Sequence, residues 1–276
     1  MAFLSLDDIA AFSSAGFVLN TEERAALRSS LLLKKNEERL DEIGLWGKIL
    51  GVQKDYMIAQ ATGEDHFVRK FFYSTDLVTW LQLPEVTVEE IKIVDTIMSR
   101  FYGDPAYEYI TAKNEEQEST GDDEPHVEEK RITELKRLSG VIALINHQVQ
   151  IVPRGAYYRD HLHKLSLNPA FQGLTRDGLG KLTEYFHFCE GFDINTRTIM
   201  DRANSFDESI DIFDSLARDE PKGIWSLIME KSGASVIIRS LLWPGYVFFH
   251  SPRPCKWGSF YYGSGQKNLN IGYMLP

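Results

Sequence analysis

Apolar residues follow two different spacings along this chain, and the change from one to the other predicts a mixture of helices and strands. The clearest helical spacing covers residues 87–101, where apolar side chains recur every three or four residues. Thr87 and Glu90 form a capping box at its start, and Asn20 and Glu23 mark the start of another helix in the same way. Similar spacing predicts further helices over residues 133–146 and 175–188. Acidic residues in its first turn indicate a short helix over 5–16, and we expect two more short helices over 196–203 and 207–218.

Runs of β-branched and aromatic residues predict strands between and after these helices. Two apolar runs, 43–51 and 55–61, flank a short polar link and predict a hairpin. In the C-terminal third, residues 231–233 and 252–256 each separate two such runs and predict two more hairpins. Strand-like composition also covers residues 67–74, 77–83 and 148–159. We therefore expect an α+β fold, with mostly antiparallel β-sheets and several short helices packed against them.

An acidic segment interrupts this pattern at residues 113–130. It contains eight acidic and two basic residues, hence a local charge of -6 out of a net charge of -10 for the chain. Almost no apolar side chain falls within it, so it can bury little surface. We expect a single domain over residues 1–276, with this segment as a mobile loop.

Charge and composition narrow the class of partner. A net charge of -10 without a stripe of Lys and Arg argues against a nucleic-acid binder, because such proteins neutralise phosphates with clustered cations. Arg239 and Pro244 interrupt the longest apolar tract, which is too short to cross a bilayer. We therefore expect neither a nucleic acid nor a membrane as partner.

Cysteine content and the N-terminal residues indicate a reducing compartment. Cys189 and Cys255 are too few for a disulfide framework in a chain of 276 residues. The first twelve residues carry acidic side chains where a secretory signal would carry positive charge. We expect an intracellular protein.

Residue pairs that could bind a metal occur twice. His161 and His163 are two residues apart, as are His187 and Cys189. These spacings match no zinc pattern, and residues two apart do not converge in the helix predicted over 175–188. We interpret them as surface histidines and one buried thiol, and we expect no metal.

Two further patterns resemble catalytic or ion-binding motifs only superficially. The 263–268 segment, GSGQKN, lacks the glycine spacing, the Ser or Thr and the following helix of a phosphate-binding loop, so we interpret it as a turn. Asp207, Glu208, Asp211 and Asp214 lack the spacing of a calcium loop and fit a solvated helix face. No serine occupies a nucleophile elbow. We expect no catalytic site and no cofactor.

Four aromatic and glycine-rich blocks are the most distinctive part of the sequence. They read LWGKILGVQKDYMIAQ at 45–60, GDPAYEY at 103–109, IVPRGAYY at 151–158 and SLLWPGYVFFH at 240–250, and FYYGSGQKN closes the chain at 260–268. In order and spacing these blocks resemble the radial spoke head family. The resemblance extends from about residue 20 to the C-terminus, and the acidic segment at 113–130 is its least family-like part.

The resemblance implies a non-catalytic structural subunit of the radial spoke head, the part of the axoneme of motile cilia and flagella that faces the central pair apparatus. It implies partners among radial spoke head proteins of the 4/6 type and other spoke subunits, and a part in regulating dynein through the central pair. The implied location is the cytoplasm and cytoskeleton, within the axoneme. The alternatives are a soluble assembly adaptor of chaperone-like type and an enzyme that has kept the fold.

Aromatic residues make up 12% of the chain and can serve both a core and an interface. Trp243, Pro244 and Gly245 predict a bend between two strands, because Pro cannot donate to a sheet and Gly permits positive φ. The candidate core or partner-interface residues are Trp46, Trp225, Trp243, Pro244, Gly245 and Trp257.

Overall fold

The structure is a computed structural model that describes residues 6, 8–113, 128–161, 164–191, 198–200, 210–230 and 234–274. Its strands are β1 (Glu42–Ile49), β2 (Tyr56–Thr62), β3 (Arg69–Ser74), β4 (Leu81–Gln82), β5 (Glu108–Lys113), β6 (Glu128–Thr133), β7 (Ile151–Pro153), β8 (Tyr157–Arg159), β9 (Leu165–Leu167), β10 (Tyr185–His187), β11 (Trp225–Glu230), β12 (Ser235–Ser240), β13 (Tyr246–Pro252) and β14 (Cys255–Gly263). Its α-helices are α1 (Thr21–Glu37), α2 (Val88–Thr96), α3 (Glu134–Val149), α4 (Arg176–Leu179) and α5 (Ile271–Met274). Short 3-10 helices cover Asp8–Ala15, Leu182–Glu184 and Leu216–Arg218.

An eight-stranded sheet forms the centre of the fold, in the order β11-β12-β13-β14-β1-β2-β3-β4. It consists of two antiparallel meanders, one from each end of the chain, which meet where β14 and β1 pair in parallel. That parallel seam is short, with Gly47, Lys48 and Ile49 paired to residues 261–263. The predicted α+β class with mostly antiparallel sheet is confirmed.

Gly47 determines how closely the two meanders approach each other. A Cβ atom at this position would lie 2.3 Å from the carbonyl oxygen of Tyr261 on β14. Just before it, between Leu45 and Gly47, a bulge shifts the register of β1 against β2. Glycine is therefore required at this point, because any larger residue would push the strands apart.

Both faces of the central sheet are covered, so its strands are apolar on both sides. Successive residues of a strand point to opposite faces, and in β2 Ile58 packs into one core cluster while Met57 and Ala59 pack into the other. Helix α3 and the smaller sheets cover the face on which Ile58 lies, which we call the α3 face. Helix α1 and the 3-10 helix Asp8–Ala15 cover the opposite face, the α1 face.

Several predicted helices are confirmed by the contacts they make. The Asn20–Glu23 capping box starts α1, and the backbone N–H of Asn20 donates to Oε2 of Glu23 over 2.9 Å. The predicted apolar spacing of the helix over 133–146 is seen in α3, whose Leu138, Ile142 and Ile145 are buried. In these two helices the capping residues and the apolar spacing are therefore correct signals.

The helix predicted over 87–101 starts at its capping box as expected but ends early. The backbone turns extended at Ile97, with φ of -85° and ψ of 105°, and α2 stops at Thr96. Phe101 then forms a parallel bridge with Gly51. Phe101 is buried in this extended segment and Met98 is 44% exposed, so the apolar spacing of residues 97–101 did not mark a helix.

The helix predicted over 175–188 is wrong. Only the four residues of α4 are α-helical, because Gly178 and Gly180 weaken the continuation and Gly180 ends the helix as its C-cap. Tyr185 to His187 instead pair with Pro153 to Ile151 as strand β10. Tertiary pairing with β7 outweighs the helical spacing here.

Two other predicted helices and the acidic loop fall partly outside the described residues. The helix predicted over 207–218 is wrong for residues 210–218. Within these residues the only helical segment is the 3-10 turn Leu216–Arg218. Most of the helix predicted over 196–203 lies outside the described residues. The loop is shorter than the predicted 113–130, because Lys113 at the end of β5 pairs with Glu128 at the start of β6.

The three predicted hairpins are confirmed as β1–β2, β11–β12 and β13–β14. Residues 231–233, which were predicted to turn between β11 and β12, lie outside the described residues. The strand predicted over 148–159 is bent as expected, with Gly155 at φ of +78°. Residues 148 and 149 belong instead to helix α3, and the remainder forms two strands, β7 and β8, which belong to different small sheets.

Candidate partner interface

Helix α3 joins the aromatic blocks of the chain through hydrogen bonds from its own polar residues. The indole Nε1 of Trp46 donates to Oδ1 of Asn146 over 2.8 Å. The indole of Trp243 donates to Oε1 of Gln148 over 2.9 Å, two residues further along the helix. Each buried indole N–H therefore has an acceptor, which fixes both rings against the α3 face of the sheet.

The first residue of α3 forms the most densely bonded polar group in the core. The carboxylate of Glu134, which is fully buried, accepts from the hydroxyls of Tyr56 (2.6 Å) and Tyr109 (2.8 Å). It also accepts from the backbone N–H groups of Gly103 (2.6 Å) and Tyr102 (2.9 Å). Burial, together with the hydrogen bond to Glu134, raises the pKa of Tyr109 to about 12. This carboxylate holds the base of the β5–β6 hairpin to strand β2.

Arg137 lies one turn after Glu134 and is equally buried. Its guanidinium carbon lies 4.2 Å from the ring centre of Phe101 and 4.5 Å from that of Tyr109. The guanidinium also donates to the carbonyl of Ser99. Burial lowers the pKa of this arginine. Arg137 therefore holds the extended 97–101 segment onto α3 through cation–π contacts and hydrogen bonds.

The Trp243-Pro244-Gly245 block forms the bend between β12 and β13. Trp243 is 2% exposed, Pro244 is exposed, and Gly245 has a φ of +105°. A Cβ atom at Gly245 would lie 2.2 Å from the carbonyl oxygen of Tyr262, whose own N–H donates to the Gly245 carbonyl over 3.0 Å. The block places a core tryptophan below the bend and leaves a proline at the surface.

Trp225 and Trp257 are also core residues. The indole of Trp225 donates to Oδ2 of Asp219 over 2.6 Å, and the same carboxylate contacts Nε2 of His187 at 2.8 Å. The ring of Trp257 meets that of Tyr157 edge to face, with centres 5.9 Å apart. The structure does not bring the candidate tryptophans together at one surface. It distributes them along the α3 face of the sheet.

The residue pairs considered as metal ligands lie only partly within the described residues. His163 lies outside the described residues, and His161 contacts only its neighbour Asp160 among the contacts that are described. Burial raises the pKa of the Cys189 thiol to about 11. Across the part of the chain that the structure describes, no three His, Cys, Asp or Glu side chains are grouped to hold a metal ion.

Asp211, predicted to lie on a solvated helix face, is buried at 2% exposure. Its carboxylate binds Arg154 through two contacts of 2.8 Å, to Nε and Nη2. A buried bidentate ion pair of this kind compensates the cost of removing both charges from water. Sequence spacing contained no signal for it, because the two residues are 57 positions apart.

One cavity of about 400 Å³ opens between the end of α1 and the end of β2. Glu38 at its rim pairs with Lys34 (2.9 Å), and Glu64 pairs with Lys164 (2.7 Å). These lysines lower the pKa of both carboxyl groups, so the carboxylates stay ionised. A general acid requires the opposite shift, and the cavity therefore suits a solvated surface of ion pairs better than acid–base chemistry.

Apolar side chains are exposed at several places on the surface, two of which adjoin the central sheet. Met98, Leu241 and Leu269 border the 264–270 segment, whose Gln266 donates to the Met98 carbonyl and whose Asn268 donates to the Leu241 carbonyl. The other place is the pair of sheet edges, where β11 exposes Ile228 and Met229 and β4 exposes Leu81. Such surfaces are where a folded chain of this kind can contact a partner.

Comparison with known proteins gives the chain a family. Residues 5–71 match the model of the family described as "Radial spokehead-like protein". The chain is 39% identical over 267 residues to the human radial spoke head protein 9 homolog, covering 95% of each chain. It is 38% identical over 269 residues to the homolog of Xenopus tropicalis and 37% over 265 residues to that of Danio rerio, covering 95% and 94% of each chain.

The chain belongs to the radial spoke head protein 9 family.

This membership confirms the resemblance inferred from the aromatic blocks, and the structure shows what those blocks do. Three of the four blocks contribute residues that are hydrogen-bonded to α3 side chains. They are Trp46 and Tyr56 from the first block, Tyr109 from the second and Trp243 from the fourth. As for membranes, none of the helices in the described ranges has both the length and the apolar character to cross a bilayer.

Proposed function

We propose that this protein is a non-catalytic structural subunit of the radial spoke head. The observation that carries the proposal is 39% identity to a radial spoke head protein 9 homolog over 95% of both chains. In this role it contributes to assembly of the head in the axoneme of motile cilia or flagella. Through the assembled head it contributes to the regulation of dynein by the central pair apparatus.

The geometry supports a scaffold rather than an enzyme. Two of its buried carboxylates are bonded within the core, Glu134 to two tyrosines and Asp211 to Arg154. Such internal bonds fix one arrangement of the elements, whereas a catalytic group must face a cavity. A rigid sheet with both faces covered is suited to presenting fixed surfaces to neighbours.

We propose a protein of the radial spoke head 4/6 type as its direct partner. The chain carries a net charge of -10, so attraction to a partner that is also acidic would have to come mainly from buried apolar area. The exposed Met98, Leu241 and Leu269 and the two sheet edges supply such area. Permanent interfaces of this type bury more than about 2,000 Å² and are poor in charge at their centre.

Fractionation of cilia tests the proposal against its main alternative. A tagged copy of the chain is expressed in a motile-ciliated cell, and the cilia are extracted with non-ionic detergent. We expect the chain to remain with the axoneme and to be released only together with other spoke subunits. A freely diffusing ciliary protein, extracted in the same sample, serves as the control for complete removal of soluble material.

Release of the chain with that soluble control would contradict the proposal. Recovery in the cytoplasm, bound to unassembled axonemal subunits, would instead identify an assembly adaptor. Identification of the chains that remain attached after extraction decides between a spoke head subunit and a subunit of another axonemal complex.

A further inference from the structure

The two edges of the central sheet differ in length and protection. Strand β4 is two residues long, which leaves little backbone for another strand to pair with. Strand β11 is six residues long and pairs with β12 in an uninterrupted register from Trp225 to Glu230. Among the described residues, β11 has a strand partner on that side only. Its outer edge therefore presents a row of backbone N–H and C=O groups.

Soluble proteins protect such edges with lysine, proline, a bulge or a short strand. The β11 sequence, WSLIME, contains no lysine and no proline, and its register has no bulge. Ile228 and Met229 are 43% and 45% exposed and, as successive residues, they point to opposite faces of the sheet. An edge of this length with exposed apolar residues and none of these four devices favours pairing with another strand.

We propose that the outer edge of β11 accepts an extended strand from a partner chain, which continues the eight-stranded sheet. This proposal rests on the proposed function, since it locates the contact between this chain and its spoke head partner. Backbone hydrogen bonds would supply much of the affinity, and apolar residues on both faces of the added strand would pack against Ile228 and Met229.

Charge indicates which strand fits. Glu230 at the end of β11 makes no ion pair with any residue in the described ranges, and a lysine or arginine opposite it would give a favourable cross-strand pair. A second copy of this chain does not provide one. If two β11 strands paired antiparallel about their centre, Glu230 would face Trp225 of the other copy. The occupant is therefore an extended strand with apolar residues on both faces and a basic residue near one end.

The test uses the full-length chain co-expressed with a tagged protein of the radial spoke head 4/6 type. The edge variant replaces Ile228 and Met229 with lysine, a residue that natural edges use to prevent pairing. The matched control replaces Leu33 and Val88, which are exposed on α1 and α2 at 63% and 71%, with lysine. We expect the edge variant to retain about tenfold less partner than wild type, and the control to retain as much as wild type.

Hydrogen exchange supplies a second measurement that does not depend on folding of the variant. Alternate amides of β11 should exchange rapidly in the isolated wild-type chain and at least about tenfold more slowly in the complex. Slow exchange in the isolated chain, or a dimer of the isolated chain with these amides protected, would overturn the proposal.

The outcomes separate this proposal from the proposed function. If wild type and edge variant retain the partner equally, the edge proposal is wrong and the proposed partnership stands. If wild type retains no partner at all, both are wrong. Loss of the partner from the edge variant alone, with β11 protected in the wild-type complex, supports both.

Discussion

Individual side chains in this protein act mainly by satisfying buried polar groups. Asn146 and Gln148 on α3 accept from the indoles of Trp46 and Trp243, so the last turn of one helix orients two of the largest rings in the core. Leaving a buried indole N–H without an acceptor would lower the free energy of unfolding by about 1–3 kcal/mol. The two amides are therefore part of what stabilises the fold, as the rings are.

Replacing Trp243 by alanine tests the role of this ring in the core. Because the side chain is 2% exposed, the substitution should lower the free energy of unfolding by about 3–5 kcal/mol, measured by urea denaturation. Pro244→Ala is the neighbouring control, since this residue is exposed, and it should change stability far less. A Trp243→Ala variant as stable as wild type would show that the ring is not a core anchor.

His250 gives the fold a pH dependence that can be measured. The residue is fully buried on β13, its Nε2 accepts from the N–H of Leu174 at 3.2 Å, and its Nδ1 has no partner among the described residues. Burial lowers its pKa to about 4, so the unfolded chain takes up a proton near pH 6.5 while the folded chain does not. The contribution of His250 is therefore fully present above about pH 6.5 and is lost as pH falls towards 4.

The variant His250→Gln keeps an acceptor for Leu174 but cannot titrate. We expect the stability of wild type to fall more steeply than that of this variant between pH 6.5 and 4, by on the order of 3 kcal/mol in total. Parallel pH profiles of the two proteins, measured by denaturant unfolding, would show that the buried imidazole does not control this range.

At the scale of elements, the parallel seam between β14 and β1 is the point where the two halves of the sheet depend on each other. Only the three residues 47–49 pair across it, whereas β13 and β14 pair over seven positions. The seam brings together strands from the two ends of the chain, so neither meander continues the sheet without the other.

Gly47→Ala should disrupt this seam. The added methyl group would meet the Tyr261 carbonyl oxygen at 2.3 Å, and we expect a loss of about 1–3 kcal/mol in unfolding free energy. Gly63→Ala is the matched control, because a Cβ there has no neighbour within 4 Å. Equal stability of the two variants would contradict the close approach at the seam.

The acidic segment can be removed at the point where its flanking strands meet. Lys113 and Glu128 are paired neighbours, so residues 114–127 can be replaced by a two-residue Asn-Gly turn. The change removes six acidic residues and reduces the net charge from -10 to -4. We expect a cooperative thermal transition close to that of wild type, because the segment contains almost no apolar side chain to bury. Loss of solubility or of cooperative unfolding would show that the segment is structural.

Sequence patterns predicted those elements whose signals are local. The capping box of Asn20 and Glu23 and the apolar spacing of α3 depend on residues within one or two turns, and both were confirmed. Strand β10 was predicted as helix because its partner β7 lies more than 30 residues away. The Arg154–Asp211 ion pair was missed for the same reason. The resemblance of the aromatic blocks indicated the family, but it did not indicate that these blocks meet on α3.

At the scale of the whole molecule, the groups that fix the fold and the groups that can contact a partner lie in different places. The polar groups that fix the arrangement, such as Glu134 and Arg137, are buried on the α3 face of the sheet. Exposed apolar groups include those at the edges of the sheet and along the 264–270 segment. This division suits a subunit that keeps one shape while its neighbours attach at its periphery.

The measurement that most directly tests the proposed function is capture of the partner at increasing salt. The chain is co-expressed with a tagged protein of the radial spoke head 4/6 type, and the captured complex is washed with sodium chloride up to 1 M. At that concentration the Debye length is about 3 Å, so charge pairs are screened while apolar burial is maintained or strengthened. A structural subunit held by apolar contacts should remain bound through the 1 M wash. Release of the chain at modest salt, or failure to bind at all, would contradict the account.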